Sequence, residues 1–275
     1  MRGPNLTLAT DLDGTFLGGS EEQRRALYSH LVARADVTLI FVTGRDVEFV
    51  AGLVRTPGMP RPDYVVGDVG TSIYDGATLE PVEHLEAPIV RRWNGANARV
   101  IEMLANEPGL RLQGTPFRHR VSYDCDPALL SPDSIAKVEA AGFDCLLSAD
   151  RFFDVLPKGV SKGPTLIRLV EALGLDPATV LVAGDTMNDL SLFRAGFKGV
   201  AVGNSEPRLI DAVGGMKNVY RSPLPGTAGI ADAIRNFRLE GSRSREIEEI
   251  VAGHRLSPTT ERRSADERAR LLPEP

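Results

Sequence analysis

The sequence predicts an α/β fold in which a doubly wound, Rossmann-like parallel sheet carries a smaller α+β domain inserted into it. Short apolar runs that end in small or polar residues alternate with helical stretches, as buried parallel strands and their crossover helices do. The alternation stops between about residues 82 and 157 and then resumes. Polar residues stand at the ends of the predicted strands, where open α/β sheets bind ligands.

The first part of the chain supplies two strand, helix, strand units. Residues 5–10 and 37–42 are predicted strands, and "SEEQRRALYSHLVARA" between them is a predicted helix. Ser20 and Gln23 are spaced for a capping box at its start. A helix, "DVEFVAGLV", and a third strand, "DYVVGDVG", follow. This order is typical of a parallel sheet.

The inserted domain and the second part of the chain complete the prediction. In residues 82–157, "RVSYD", "FDCLLS" and "FFDVLP" are predicted strands, and "APIVRRWNGANARVIEMLAN" and "SPDSIAKVEAAG" are predicted helices. The α/β rhythm returns with "SKGPTLIRLVEALG", "TVLVAGD", "NDLSLFRAG", "GVAVGN" and "SEPRLIDAVG". The core is therefore predicted over 1–81 and 158–238, with 82–157 as the inserted domain. Residues 239–275 are charged and poor in large apolar residues, which predicts a mobile tail with some helix.

Composition limits the function classes. The 275 residues are 42% hydrophobic and carry a formal charge of -5, so the chain offers no basic field for nucleic acid or anionic lipid. No apolar run is long enough to span a membrane, and "MRGPNLTLA" does not form a signal peptide. Cys125 and Cys145 lack metal-ligand or disulfide-framework spacing and are expected to be free thiols. A cytoplasmic protein without nucleic-acid or membrane partners is expected, and the sequence does not indicate its oligomeric state.

Carboxylates, a hydroxyl and an amide follow three predicted strands. Taken singly, these residues have ordinary explanations: the DxD before a glycine can form an Asx turn, Thr43 can be a turn hydroxyl, and Lys162 can be a solvated lysine at a helix start. The carboxyl ends of parallel strands share one edge, however, so the set is expected to converge. The residues that follow the strands are Asp11, Asp13, Thr43, Gly44, Arg45, Asp185, Asn188 and Asp189.

Together, these residues resemble the four motifs of the haloacid dehalogenase superfamily of phosphotransferases. The motifs are "DLDGT" at 11–15, Thr43 in "VTGR", Lys162 in "KGVSKG" and "GDTMND" at 184–189, all in the family's order. Lys158 is an alternative for the third motif. Lys162 is preferred because it begins a predicted helix and matches the family's "SKG".

The resemblance implies a reaction that uses two aspartates. Asp11 would be the nucleophile and form an aspartyl-phosphate. Asp13 would protonate the leaving alkoxide and then take a proton from the attacking water. A phosphomonoester is a dianion, so an anionic nucleophile needs cations beside it. Asp11, Asp185 and the main-chain carbonyl of Asp13 would hold Mg²⁺ for this purpose.

The remaining motif residues would hold the phosphoryl group or orient the metal site. Thr43, the backbone N–H of Gly44 and the ammonium group of Lys162 are the expected phosphate ligands. Asn188 and Asp189 are expected to orient the metal waters and Lys162.

The placement of the insert resembles the type-two cap of this superfamily, which closes over the substrate. Within that class, "GDVGTSIY" and "RHRVSYDCD" resemble the sucrose-phosphate phosphatase group, which acts on phosphorylated disaccharides and glycosylglycerols. Trp93 could stack on a sugar or simply pack in the cap. At most half of the polar residues of a strand can face the substrate. The candidate substrate residues are Asp68, Thr71, Arg118, Arg120 and Ser122.

These inferences lead to one main hypothesis. The chain is expected to be a Mg²⁺-dependent phosphatase of a phosphorylated sugar, such as sucrose 6-phosphate. A sugar phosphomutase remains an alternative because it can use the same aspartates. A non-catalytic sugar-phosphate-binding protein is a second alternative, although it would be free to lose Asp11.

Overall fold

The computed structural model describes residues 6–148, 150–241 and 244–255. The strands of its larger sheet are β1 (Leu6–Thr10), β2 (Val37–Val42), β3 (Tyr64–Gly67), β4 (Ser72–Asp75), β9 (Val180–Gly184), β10 (Lys198–Ala201) and β11 (Val219–Arg221). They lie in the order β11-β10-β9-β1-β2-β3-β4, and all neighbouring pairs are parallel except β3 with β4. The predicted α/β core with a mainly parallel sheet is confirmed.

Helices cover both faces of this sheet, because alternate strand residues enter two separate apolar clusters. Leu8 of β1 packs in one cluster and the next residue, Ala9, packs in the other. The helices that flank the core sheet are α1 (Glu21–Val32), α2 (Val47–Leu53), α6 (Lys162–Ala172), α7 (Leu190–Arg194), α8 (Pro207–Val213) and α9 (Gly226–Asn236).

Helix α1 begins where the sequence predicts. The Ser20 hydroxyl accepts from the backbone N–H of Gln23, and the Ser20 N–H donates to the Gln23 side chain, so the predicted capping box is confirmed. Two of the backbone groups that a helix start leaves unpaired are thereby satisfied.

The inserted domain has an antiparallel sheet of its own. Its strands are β5 (Leu110–Leu112), β6 (Val121–Cys125), β7 (Phe143–Ser148) and β8 (Phe152–Pro157), and its helices are α3 (Glu83–Trp93), α4 (Asn97–Leu104) and α5 (Pro132–Ala140). The strand order is β5-β6-β8-β7. The single long helix predicted before β5 is divided, because Asn94 and Gly95 both adopt positive φ. Trp93 is buried in the domain's apolar cluster and donates its N–H to Asn97, so it packs in the cap.

The segment after residue 238 differs in part from the predicted mobile tail. A tenth helix, α10 (Ser244–Arg255), packs against α1 and α9. Ile247, Ile250 and Val251 of this helix belong to one of the core clusters. Their spacing of three and four residues is that of one helical face, which the high charge of the segment obscures. The rest of the predicted tail, residues 256–275, lies outside the described residues.

Two further expectations concern cysteines and membrane segments. Cys125 and Cys145 are free thiols, as expected. Within the described ranges, no helix combines the length and the apolar character that crossing a bilayer requires.

Candidate active site

Asp11 stands directly after β1, at the carboxyl edge of the core sheet. Its backbone N–H donates to the carbonyl of Ala183 on the neighbouring strand at 2.9 Å, which holds the residue in register. Its side chain is almost fully buried. The chain then turns at Gly14, where φ is +77° and a Cβ atom would lie 2.2 Å from Oδ2 of Asp185. Glycine at this position therefore lets the first and fourth motifs approach each other.

Three buried carboxylates converge at this edge. One oxygen each from Asp11, Asp185 and Asp189 lies within 4.8 Å of the other two. Asp185 follows β9, and its Oδ1 accepts a hydrogen bond from the hydroxyl of Thr15 at 2.8 Å. Oxygen ligands at this spacing form the kind of donor set that hard divalent cations prefer.

Lys162, the first residue of α6, lies among the same carboxylates. Its Nζ donates to Oδ1 of Asp11 at 2.7 Å and to Oδ1 of Asp189 at 2.6 Å. The third donor of the ammonium group reaches Oδ1 of Asn188 at 2.8 Å. All three donors are thus used inside the protein. Direct contact of Lys162 with a phosphate stays a prediction and would require one partner to be exchanged.

Asp189 and Asn188 hold Lys162 and the backbone of Asp185 in place through hydrogen bonds. Oδ2 of Asp189 accepts from the backbone N–H groups of Asp185 and Thr186 at 3.0 and 3.1 Å, while its Oδ1 accepts from Lys162. Because both oxygens of Asp189 are engaged, this residue is better suited to orientation than to metal binding. Asn188 also accepts from the hydroxyl of Thr186.

The buried cluster contains more carboxylates than cations. Burial raises the pKa of Asp11 well above its usual value, although the positive charge of Lys162 acts to lower it. Burial and the neighbouring Asp189 raise the pKa of Asp185 to about 7. Burial alone would lower the pKa of Lys162, but Asp11 and Asp189 raise it instead. Three carboxylates against one ammonium leave two negative charges, so a divalent cation fits the donor set in charge and in chemistry.

Asp13 has a different environment from Asp11. Its carboxylate is about half exposed and accepts hydrogen bonds from Nε and Nη2 of Arg45, at 2.8 and 3.1 Å. Arg45 follows β2 and its guanidinium lies over the ring of Phe49, 4.6 Å from the centroid. Asp13 is therefore placed at the opening of the site while Asp11 is held inside it.

Thr43 and Gly44 stand between β2 and Arg45. The buried hydroxyl oxygen of Thr43 accepts from the backbone N–H of Arg45 at 3.1 Å, which leaves its own O–H as a donor. Gly44 lines the cavity above Asp11. Their predicted contacts with phosphate remain predictions. Lys158, the alternative to Lys162, instead pairs with Asp144 of the inserted domain.

Of the five predicted substrate residues, only Arg120 lines the cavity. Its guanidinium is buried between two carboxylates, 3.2 Å from Asp68 of the core and 3.0 Å from Asp154 on β8. The hydroxyl of Ser122 makes a short hydrogen bond to the same oxygen of Asp154 and also accepts from Arg120. Asp68 and Ser122 therefore support Arg120.

Thr71 and Arg118 are not among the residues that line the cavity, so their predicted contacts with the substrate stay predictions. Thr71 is fully buried and donates its hydroxyl to the carbonyl of Asp68. Arg118 makes a bidentate ion pair with Glu86 at 2.8 Å and lies over the ring of Tyr74. The buried Glu86 also accepts from the backbone N–H of Ile73, so Arg118 offsets a charge at the junction of the two domains.

The cavity between core and cap has a volume of about 280 Å³. Asp11, Asp13, Gly44 and Asn188 lie on its core side. Residues of the inserted domain form the opposite side, and they are Gln113, Thr115, Arg120, Ser148, Phe152 and Asp154.

Several residues of the site have no assigned role in the sequence prediction. Arg45, Thr15 and Asn204 contact predicted site residues, and Asn204 donates to the carbonyl of Gly14 at 3.0 Å while accepting from the N–H of Gly226. Arg45 and Thr15 lie within the motif segments, which is a usable signal. The lining residues of the cap, apart from Arg120, follow no pattern in the sequence.

A family model described as sucrose-6F-phosphate phosphohydrolase matches residues 4–238. The chain belongs to this family of haloacid dehalogenase-like phosphatases. The predicted resemblance and the predicted class, a sugar-phosphate hydrolase, are confirmed at the level of the family. The match ends before α10, so this helix lies outside the family's shared region.

Individual members and relatives of the family are similar over most of the chain. A glucosylglycerol-phosphate synthase of Pseudomonas anguilliseptica is 41% identical over 86% of this chain, which spans only 31% of that protein. A mannosylfructose-phosphate phosphatase of Agrobacterium fabrum is 29% identical over 86% of this chain and 98% of its own length. The sucrose-phosphatase of Synechocystis sp. PCC6803, solved with sucrose and phosphate, has a TM-score of 0.76 at 26% identity and covers 86% and 98% of the two chains.

Proposed function

We propose that this chain is a Mg²⁺-dependent phosphomonoesterase that hydrolyses a phosphorylated disaccharide or glycosylglycerol through an aspartyl-phosphate on Asp11. The observation that carries the proposal is the convergence of Asp11, Asp185 and Lys162 at one end of a cavity whose opening holds Asp13. A nucleophile, cation ligands and an acid are thus within reach of one phosphoryl group.

In the first half of the reaction, one carboxylate oxygen of Asp11 attacks phosphorus and the bond to the leaving oxygen breaks. Lys162 holds Oδ1 of Asp11, which orients the other oxygen for attack. Asp11 and Asp185, with the main-chain carbonyl of Asp13, would hold Mg²⁺, which supplies positive charge against the repulsion between nucleophile and phosphate. Asp13 gives its proton to the departing alkoxide.

In the second half, Asp13 takes a proton from a water molecule, whose oxygen attacks the phosphorus of the aspartyl-phosphate. The bond between phosphorus and Asp11 breaks, inorganic phosphate leaves, and Asp11 is restored. Arg45 donates two hydrogen bonds to the carboxylate of Asp13, which hold this side chain in position for both steps. Both halves need Asp13 close to the opening, where substrate and water enter.

The relatives and the lining of the cap support the proposed substrate class. The names of the relatives specify phosphates of sucrose, mannosylfructose and glucosylglycerol, which are all neutral glycosides once the phosphate is removed. The cap side of the cavity offers amide and hydroxyl groups together with Phe152, a combination that suits a sugar. Family membership and the complete set of motif residues favour hydrolysis over the mutase and the non-catalytic alternatives.

A phosphate-release assay with Mg²⁺ tests the proposal. The panel contains glucosylglycerol phosphate, mannosylfructose phosphate, sucrose 6-phosphate and simple hexose phosphates. We expect release from at least one glycoside phosphate and a loss of about 10⁴-fold or more in kcat for Asp11→Asn. Asp211→Asn, at an exposed carboxylate of α8, is the matched control and keeps the parent rate. Release at the parent rate by Asp11→Asn, or no release from any member by the parent, contradicts the proposal.

A further inference from the structure

Among the described residues that line the cap side of the cavity, Arg120 is the one cation, and two carboxylates already bind it. Arg120 is 6% exposed and bridges Asp68 of the core to Asp154 of the cap. Both carboxylates are equally inaccessible, at 4% exposure. The group of Asp68, Arg120 and Asp154 therefore carries two negative charges and one positive charge. A buried site of this kind has no positive charge to spare for an anion.

The other cation of the cavity wall is also committed. Arg45 pairs with Asp13 through two hydrogen bonds, and Asp46 beside it adds a further carboxylate to the wall. Within the part of the chain that the structure describes, the cations that line the cavity are thus Arg45 and Arg120, and each is paired with a carboxylate. A second phosphate group placed there would meet negative charge.

The cap side of the cavity does offer hydrogen-bond partners to the uncharged hydroxyl groups of a ligand. Nε of Arg120 and the hydroxyl of Thr115 are buried at the cavity and have no hydrogen-bond partner among the described residues. Ser148 adds a hydroxyl to the wall, and Phe152 adds an apolar ring. Buried polar groups without partners are costly, so these atoms favour a ligand that supplies uncharged acceptors and donors.

We infer that Asp68, Arg120 and Asp154 make the cap side selective for an uncharged polyhydroxylated leaving group and exclude substrates with a second phosphate. The inference rests on the proposed function and specifies its substrate further. Arg120 contributes hydrogen-bond donors whose charge is cancelled, so it binds hydroxyls without recruiting anions. A phosphomutase needs the opposite property, since its bisphosphate must place one phosphate in the cap while the other is at the nucleophile.

Equilibrium binding of a matched ligand pair tests this selectivity. Glucose 6-phosphate and glucose 1,6-bisphosphate share the sugar and differ by one phosphate. With Mg²⁺ present, we expect the dissociation constant of the bisphosphate to exceed that of the monophosphate by about 30-fold or more, because the second phosphate is repelled by the carboxylates of the cap side. Equal binding, or tighter binding of the bisphosphate, overturns the inference.

A charge-removing variant tests the residues. Asp154→Asn keeps the size of the side chain and releases Arg120 from one carboxylate, so the preference for the monophosphate should fall by about tenfold. Asp133→Asn, at an exposed carboxylate of the cap, should leave the preference unchanged. An unchanged preference in Asp154→Asn overturns the role of the cluster. Where Asp154→Asn does not fold, the ligand pair on the parent protein still decides the selectivity.

Binding also separates this inference from the proposed function. A parent protein that prefers the monophosphate but releases no phosphate from any glycoside contradicts the proposed function and supports the selectivity. A parent protein that releases phosphate from glycoside phosphates and binds both ligands equally supports the function and overturns the selectivity.

Discussion

Asp11 and Asp13 are two residues apart, yet the structure gives them different partners. Asp11 is buried and hydrogen-bonded to Lys162, whereas Asp13 is half exposed and paired with Arg45. The two aspartates belong to the same short segment, so the difference arises from the elements that approach each one. The proposed nucleophile is thus held inside the fold by Lys162, and the proposed acid and base lies on the more exposed side of the cavity.

This division of roles predicts how Asp13→Asn behaves. We expect kcat for a sugar phosphate to fall by about 10²- to 10⁴-fold, because the alkoxide then leaves without a proton. With p-nitrophenyl phosphate, whose leaving group needs no proton, a rapid burst of one nitrophenol per protein should precede slow turnover. Rapid-quench kinetics measure both, and Asp211→Asn is the control. Parent-like turnover of the sugar phosphate by Asp13→Asn would show that Asp13 is not the acid.

Gly14 gives a second prediction at the scale of one residue. In Gly14→Ala, the new Cβ atom meets Oδ2 of Asp185 and the residue keeps an unfavourable positive φ. We expect the free energy of unfolding to fall by about 1–3 kcal/mol from the backbone alone, with a further loss from the displaced carboxylate. Urea unfolding of Gly14→Ala and Gly58→Ala measures this.

Gly58→Ala is a close control for that measurement. Gly58 has a φ of +81°, and nothing lies within 4 Å of the position that its new methyl group would take, so this variant reports the backbone cost alone. Gly14→Ala should also lose Mg²⁺-dependent turnover, which Gly58→Ala keeps. Equal destabilisation of both variants, with turnover intact in both, would mean that Asp185 yields to the methyl group at no cost.

At the scale of elements, the start of α1 tests the capping box. Ser20→Ala removes the acceptor for the N–H of Gln23 at an exposed helix end. We expect the free energy of unfolding to fall by about 1 kcal/mol, with kcat unchanged, because Ser20 lies outside the cavity lining. Thermal or urea denaturation shows the effect, and Ser20→Asp should restore most of it as an alternative cap. A loss in Ser20→Asp as large as in Ser20→Ala would contradict capping as the cause.

Helix α10 provides the other prediction at this scale. Ile247 is fully buried in the core cluster, so Ile247→Ala should lower the free energy of unfolding by about 2–5 kcal/mol. Glu248→Ala, at an exposed position of the same helix, should change it little. Urea unfolding of both variants separates a docked helix from an independent one. Equal, small effects would mean that α10 does not contribute to core stability in solution.

For the whole molecule, the sequence predicts the core far better than the cap. The carboxyl ends of parallel strands share one edge of the sheet, so Asp11, Thr43 and Asp185 can be predicted to converge because each follows a strand. Arg118 and Arg120 are alternate residues with the same chemistry, and only their distant partners, Glu86 and Asp154, distinguish them. Ion pairs between residues that are far apart in the chain leave no pattern in the local sequence, so they could not be predicted from it. The docking of α10 escaped prediction for a related reason, since three apolar residues on one face are few among many charges.

Folding brings three buried carboxylates together, so a divalent metal ion is predicted to stabilise the folded chain. The folded chain brings Asp11, Asp185 and Asp189 together, whereas the unfolded chain separates them, so a cation that binds the cluster favours folding. Saturating Mg²⁺ at 100 times its dissociation constant should add about 2.7 kcal/mol to the free energy of unfolding, and chelation should remove it. Thermal denaturation across a Mg²⁺ titration measures the shift. Asp185→Asn should abolish it and Asp211→Asn should retain it, whereas a shift that persists in Asp185→Asn would place the cation elsewhere.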